Sequence, residues 1–169
     1  KAFEWYEKAA SQGDEKAETT ISAIKGDANA QYELGDMYYY GEGYYYGEGV
    51  EKDYKKAFEW YEKAASQENG NAVTIISAHH GNVINQYKLG NIYDYGKGVK
   101  ENAYESAQWY EKAANQGFAQ AQLNVGTMYE NAEGVKEDKK KAKEWYKKAC
   151  DNKIQEGCEY YKDLNQKGY

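Results

Sequence analysis

Apolar residues recur along the chain at the three-to-four-residue spacing of a helix face. Ala57, Trp60, Tyr61 and Ala64 stand at i, i+3, i+4 and i+7, which predicts an amphipathic helix with one apolar stripe. Glu59 and Lys63 lie four apart on its other side, spaced to pair. The phrase is used four times, as EWYEKAA at Trp5 and Trp60, QWYEKAA at Trp109 and EWYKKAC at Trp145, and it holds all four tryptophans. A second helix is predicted ahead of it, marked by Leu34-Gly35, Leu89-Gly90 and Val125-Gly126. A bulky residue beside one without a side chain lets a neighbouring helix approach closely there, with Tyr38 and Tyr93 one turn on.

The order of these elements is a repeat. Trp109 and Trp145 are 36 residues apart, as are Gly90 and Gly126, a length that fits two helices and two turns. Val50, Val99 and Val135 each precede a tryptophan by ten residues. Asp53, Asn102 and Asp138 stand where an N-cap is needed, after glycines that permit the turn. One helix pair cannot bury both its faces, so the units must stack. The expected fold is all-α, a right-handed α-solenoid of antiparallel helix pairs with a concave groove.

The pattern A-x-x-x-L-G-x-x-Y-x-x-G-x-G-V followed by K-A-x-x-W-Y-x-K-A-A-x-Q-G resembles the Sel1-like repeat family, relatives of the tetratricopeptide repeat, over most of the chain. It is matched by Ala30, Leu34, Gly35, Tyr38 and Gly41, then by Gly49, Val50, Lys56, Ala57, Trp60, Tyr61, Lys63, Ala64, Ala65 and Gln67. On this reading residues 1–169 form one solenoid domain. It comprises a partial repeat at 1–13, repeats at 27–67, 82–117 and 118–152, inserted short helical segments at 14–26 and 68–81, and a capping half-repeat at 153–169. Lys1 opens inside a Trp-Tyr helix without its partner, so the native chain is expected to extend further in that direction.

Two departures from the pattern stand out. YYYGEG occurs twice in tandem, at 38–43 and 44–49, so Tyr44, Tyr45 and Tyr46 are expected to bulge out, as a sticky loop or as a tolerated scar of duplication. The inserted stretches at 14–26 and 68–81 place Ala17, Ile21 and Ile24 on one helix face, whereas Val73, Thr74, Ile75 and Ile76 lean towards β-branched content. Asn85 replaces the small Ala found at position 30, which puts tight packing there in doubt.

Composition narrows the partners. The 28 acidic residues outweigh 22 basic ones, all of them Lys, giving a net charge of −6. Without a basic stripe for phosphates or any guanidinium to read bases, nucleic acid is not an expected partner. No stretch approaches the roughly 18 apolar residues of a membrane span, so no membrane insertion is expected. Twenty Tyr suit grooves and interfaces, since a ring can pack while its hydroxyl meets water, although a genome rich in Lys, Asn and Tyr accounts for them equally.

Cys150 and Cys158 are the only cysteines, one ending a Trp-Tyr helix and the other entering the next helix. Their placement resembles that in the cysteine-rich secreted bacterial branch of the family, where bridges tie adjacent helices. The resemblance implies a disulfide worth roughly 2 to 3 kcal/mol and a periplasmic or secreted location. The alternative is two reduced, buried thiols in a cytoplasmic protein. His79 and His80, adjacent and without further ligands, are read as loop residues, and neither a metal nor a cofactor is expected. Ser22 and Lys25 form S-x-x-K, a point of contact with relatives linked to β-lactam binding and hydrolysis. S-D-N and K-T-G are missing, and the parallel copy reads Ser77 then His80, so no catalytic residue is assigned.

If the repeats pack as tetratricopeptide-like ones do, the first helix of each pair lines the groove. The positions carried over are Asn29, Tyr32, Asp36 and Tyr39; then Ile84, Tyr87, Asn91 and Asp94; then Gln120, Leu123, Thr127 and Glu130. Tyrosines, amides and carboxylates suit a protein or peptide partner carrying Lys or Arg, bound by a monomer. Two other readings stay open: a secreted protein that binds or hydrolyses β-lactams or cell-wall peptides, and a structural spacer.

Overall fold

The computed structural model describes residues 2–41, 51–97 and 99–169, with side chains from Trp5 onwards. The second YYYGEG copy, with Tyr44 to Tyr46, and Gly49 and Val50 of the repeat pattern lie outside the described residues. Among those described the chain is all-α, with ten helices and no strand. They are α1 (Ala2–Ala10), α2 (Glu15–Ile24), α3 (Ala28–Tyr40), α4 (Tyr54–Ser66), α5 (Gly70–His79), α6 (Val83–Tyr95), α7 (Ala103–Asn115), α8 (Ala119–Asn131), α9 (Lys139–Asp151) and α10 (Gln155–Gln166). None of them is long and apolar enough to cross a membrane. The chain divides into two compact units, Lys1–Ile76 and Ser77–Tyr169, with the boundary inside α5.

The helix limits follow from capping chemistry. Asp53, Asn102 and Asp138 each accept a hydrogen bond from the backbone N–H three residues on, as the sequence suggests. Asp14, Asp27, Asn69 and Asn82 do the same for α2, α3, α5 and α6. Gly41 and Gly96 end α3 and α6 in the left-handed region. Ala132 ends α8 there too, at φ 59°, a conformation that its Cβ disfavours.

Within each unit a glycine-bearing helix packs on the Trp-Tyr helix that follows it. In the first unit the Tyr61 ring lies so close to Gly35 that a Cβ on the glycine would come within 2.6 Å of it. In the second, Tyr110 and Tyr146 crowd Gly90 and Gly126 in the same way. Tyr61, Tyr110 and Tyr146 are all buried. Around the second unit's rings gather Ala107, Ala113, Ala121, Leu123, Val125, Met128, Ala142, Trp145 and Leu164. Small residues face large ones, so the helices can approach closely.

The inserted segments are the full helices α2 and α5. In α2 the buried positions are Ala17 and Ala23, with Ile24 51% exposed, so the expected face of Ala17, Ile21 and Ile24 is turned slightly. In α5 the β-branched run is helical, because Ala72, Ile75 and Ala78 are buried at three-residue intervals and burial outweighs intrinsic propensity. Lys63 lies over the Trp60 ring at 3.6 Å, the partner it takes where i,i+4 spacing suggests Glu59. Lys112 over Trp109 and Lys148 over Trp145 repeat this stack at 3.6 and 3.8 Å.

Two outcomes test this packing by urea titration. Gly126→Ala is expected to lose about 1–3 kcal/mol despite alanine's better helix propensity, since its Cβ meets the Tyr146 ring. Ala132→Gly is expected to gain about 1 kcal/mol by relieving the left-handed residue.

Candidate functional site

The Trp-Tyr tyrosines pass between helices and deliver their hydroxyls to polar residues on the glycine-bearing ones. Tyr61 donates to Asp36 at 2.6 Å. Tyr110 donates to Asn91 at 2.7 Å, with Asp94 at 3.3 Å, and Asn124 of α8 also engages this hydroxyl. Tyr146 donates to Glu130 at 2.7 Å, with Thr127 at 3.4 Å. Burial pushes the Tyr110 hydroxyl well above its usual range, and the Asp94 charge adds to this. Burial raises Tyr146 likewise, with Glu130 adding to it against the opposing Thr127 bond. Both tyrosines therefore stay protonated and act as donors at neutral pH.

In the second unit this arrangement gives α6 and α8 a polar face with a half-buried carboxylate on each. Asp94 and Glu130 are held there, with Asn91, Asn124 and Thr127 around them. Ile84, 52% exposed, supplies apolar surface, while Tyr87 is half-buried, its ring tilted against Phe118 at 4.8 Å and Tyr110 at 5.6 Å. Gln120 is half-buried. Tyr160 of α10 packs on the Tyr146 ring at 5.1 Å.

Not every expected groove residue is available to a guest. Tyr32 and Leu123 are buried, at 4% and 8% exposure, which corrects their assignment to a guest-facing surface. Three residues before the glycine, the helix faces the tyrosine of its partner, and Tyr32 lies 5.9 Å from Tyr61 while Leu123 joins the core. In the first unit Asn29 accepts from Asn69 at 2.9 Å, and Tyr39 packs edge-on against Tyr40 and Tyr54.

A buried amide network, absent from the sequence expectations, fixes these faces. Gln31, Gln86 and Gln122 are buried and donate to the carbonyls of Ala23, Ala78 and Ala114 at 3.1, 3.2 and 3.2 Å. Their own carbonyls accept from Gln67, Gln116 and Asn152 at 2.8, 2.7 and 2.8 Å. Each glutamine thus clasps the helix before its own to the helix after it. The recurrence of Gln four residues before each Gly is the sequence signal that marks it.

The remaining candidates have structural places. Cys150 and Cys158 stand at disulfide distance, with Cα atoms 4.5 Å apart. His79 is the last residue of α5, not part of a loop, and meets the Trp109 ring edge-on at 4.6 Å. Among the described residues no three His, Cys, Asp or Glu gather to hold a metal ion. Ser22 and Ser77, each eight residues after a helix-capping Asp14 or Asn69, take the place that Gly126 takes after Phe118.

The glycine-tyrosine pairs and the Trp-Tyr phrase coincide with the Sel1 repeat family model, which matches residues 1–14, 28–69, 86–118 and 119–153, well over half of the chain. The chain belongs to the Sel1 repeat family. These repeats are scaffolds that generally mediate protein–protein interactions. The stretches the family model leaves out are 15–27 and 70–85, which contain α2 and α5, and 154–169, which contains α10. Among solved structures, this Sel1 repeat chain is similar to a Sel1 repeat protein from Oxalobacter formigenes, at 32% identity and TM-score 0.50, over 86% of this chain and 96% of that one. It is also similar to a protective antigen of uropathogenic Escherichia coli displaying an SLR fold, at 29% identity and TM-score 0.46, over 92% of this chain and 34% of that one. A third is Helicobacter pylori cysteine rich protein B, at 22% identity and TM-score 0.43, over 85% and 94% of the two chains. No curated protein matches the chain.

Replacing Gln122 with Leu would leave the Asn152 amide without its partner and the Ala114 carbonyl with only its backbone bond from Gly117. A loss of about 1–3 kcal/mol in urea titration is expected.

Proposed function

We propose that this Sel1 repeat chain is a peptide-binding scaffold, not an enzyme, and that the α6–α8 face of its second unit receives an extended segment carrying Lys or Arg. The observation that supports this most is the pair of half-buried carboxylates: Glu130 accepts from the Tyr146 hydroxyl at 2.7 Å, and Asp94 lies 3.3 Å from the Tyr110 hydroxyl and 3.5 Å from that of Ser106. Carboxylates fixed in this way lose little conformational freedom when they meet a cation, so binding energy is not spent on ordering them. Ile84, exposed on the same helix as Asp94, offers apolar contact, and the net charge of −6 favours a basic guest over an acidic one. The chain acts as a monomer, and the Cys150–Cys158 pair at disulfide distance favours an oxidising setting, periplasmic or secreted.

Fluorescence anisotropy with a labelled peptide of alternating Gly and Lys tests the reading. The protein is expected to bind it and not the Gly-Glu counterpart. Asp94→Asn with Glu130→Gln is expected to weaken binding about tenfold, a loss of about 1.4 kcal/mol. Equal binding of both peptides, or an unchanged affinity in the double variant, would refute it.

A further inference from the structure

The cysteines occupy the two positions that carry the glutamine clasp elsewhere. Ala23 and Gln31, Ala78 and Gln86, and Ala114 and Gln122 are each eight residues apart, as are Cys150 and Cys158. The register agrees at both ends. Ala114 is five residues after Trp109 and Cys150 five after Trp145, while Gln122 is four after the helix-entry residue Phe118 and Cys158 four after Ile154.

A full clasp needs a helix on each side, because the glutamine carbonyl accepts from the Trp-Tyr helix that packs next. The surface of α10 lacks the glycine seat that receives the tyrosine of such a helix. Where Gly35, Gly90 and Gly126 make room for a tyrosine ring, α10 carries Lys162, eight residues after Ile154 as Gly126 is eight after Phe118. Even a lone Cβ at those glycines would stand within 2.6 Å of the ring. A glutamine at 158 would therefore keep only half of its bonds, whereas a covalent link needs no second helix.

We propose that Cys150–Cys158 is a reducible fastening of α10, which replaces the amide clasp at a junction where the glycine seat for a further Trp-Tyr helix is missing. Besides this link, α10 is held by Leu164 in the core, by Gly157 against Ala149 and by the Tyr160–Tyr146 ring contact. Both cysteines are half-buried and within reach of a small dithiol. One thiolate of the dithiol attacks a cystine sulfur to form a mixed disulfide, and the second displaces the protein thiolate. Two electrons and two protons pass from the dithiol, which leaves as its own disulfide, and two cysteine thiols remain. With no amide clasp to fall back on, α10 then loosens from α9 and Tyr160 leaves the Tyr146 ring. Because Tyr146 holds Glu130, release would disturb that end of the binding face; this regulatory sense rests on the peptide-binding reading, but the fastening does not.

Amide hydrogen exchange on the full chain, with and without dithiothreitol, tests the proposal. Exchange in α10 is expected to quicken roughly 50- to 100-fold on reduction, the scale of closing so short a loop, while α7 is unchanged. Cys150→Ala with Cys158→Gln, which restores the pair used at the other junctions, should ignore dithiothreitol and protect α10 to an intermediate degree. Cys150→Ala with Cys158→Ala should match the reduced protein. Unchanged α10 exchange on reduction, equal acceleration in α7, or no advantage of glutamine over alanine at 158 would overturn it. Failure of the lysine peptide to bind would leave these readings intact, so the two proposals fall separately.

Discussion

A tyrosine ring seated on a glycine is the contact on which each helix pair depends. At Gly35, Gly90 and Gly126 there is no space for even a methyl group, so the helices approach to a distance that only glycine permits. The ring's direction is then set, and its hydroxyl emerges among the side chains one and four residues further along the glycine-bearing helix. One contact thus fills the core and decides which polar groups on the opposite side are held in place. The chemistry of the candidate face follows from the packing, since the buried Tyr110 and Tyr146 hydroxyls must find partners there, Asn91 and Asp94 for one and Glu130 and Thr127 for the other.

Successive helices are joined by a different device. A buried glutamine that satisfies both its amide ends is expensive to break and specific in its geometry, since either half alone leaves a polar group without a partner. The clasp also explains how helices of unrelated sequence can precede a repeat. α2 and α7 share no Trp-Tyr phrase, yet each ends with an alanine carbonyl where Gln31 or Gln122 needs it, and α5 does the same for Gln86. The contact asks only for a small residue and a carbonyl in the right place, which a short insertion can supply. Inserted helices therefore enter the array without a dedicated interface.

Much of the fold was legible in the residues. The i, i+3, i+4 stripe of the Trp-Tyr phrase, the capping Asp53, Asn102 and Asp138, and the Leu-Gly pairs all lie where local chemistry required them. The face was legible in part. Asp36, Asn91, Asp94, Thr127 and Glu130, expected to face a groove, lie beside the tyrosine hydroxyls, a placement the spacing did not announce, whereas Tyr32 and Leu123 turned into the core. Spacing gives the direction of a side chain around its own helix, and Tyr32 points where Tyr61, contributed from 29 residues away, closes over it.

Sequence by itself determined the helices, their caps and the recurrence of the repeat, because these depend on neighbours within a few residues of one another. Only the tertiary structure decided which polar side chains are occupied by other helices. The partners of Gln31, Gln86, Gln122 and the tyrosine hydroxyls come from other helices, and although their spacing recurs, a hydrogen bond between helices exists only once packing has brought its two ends together.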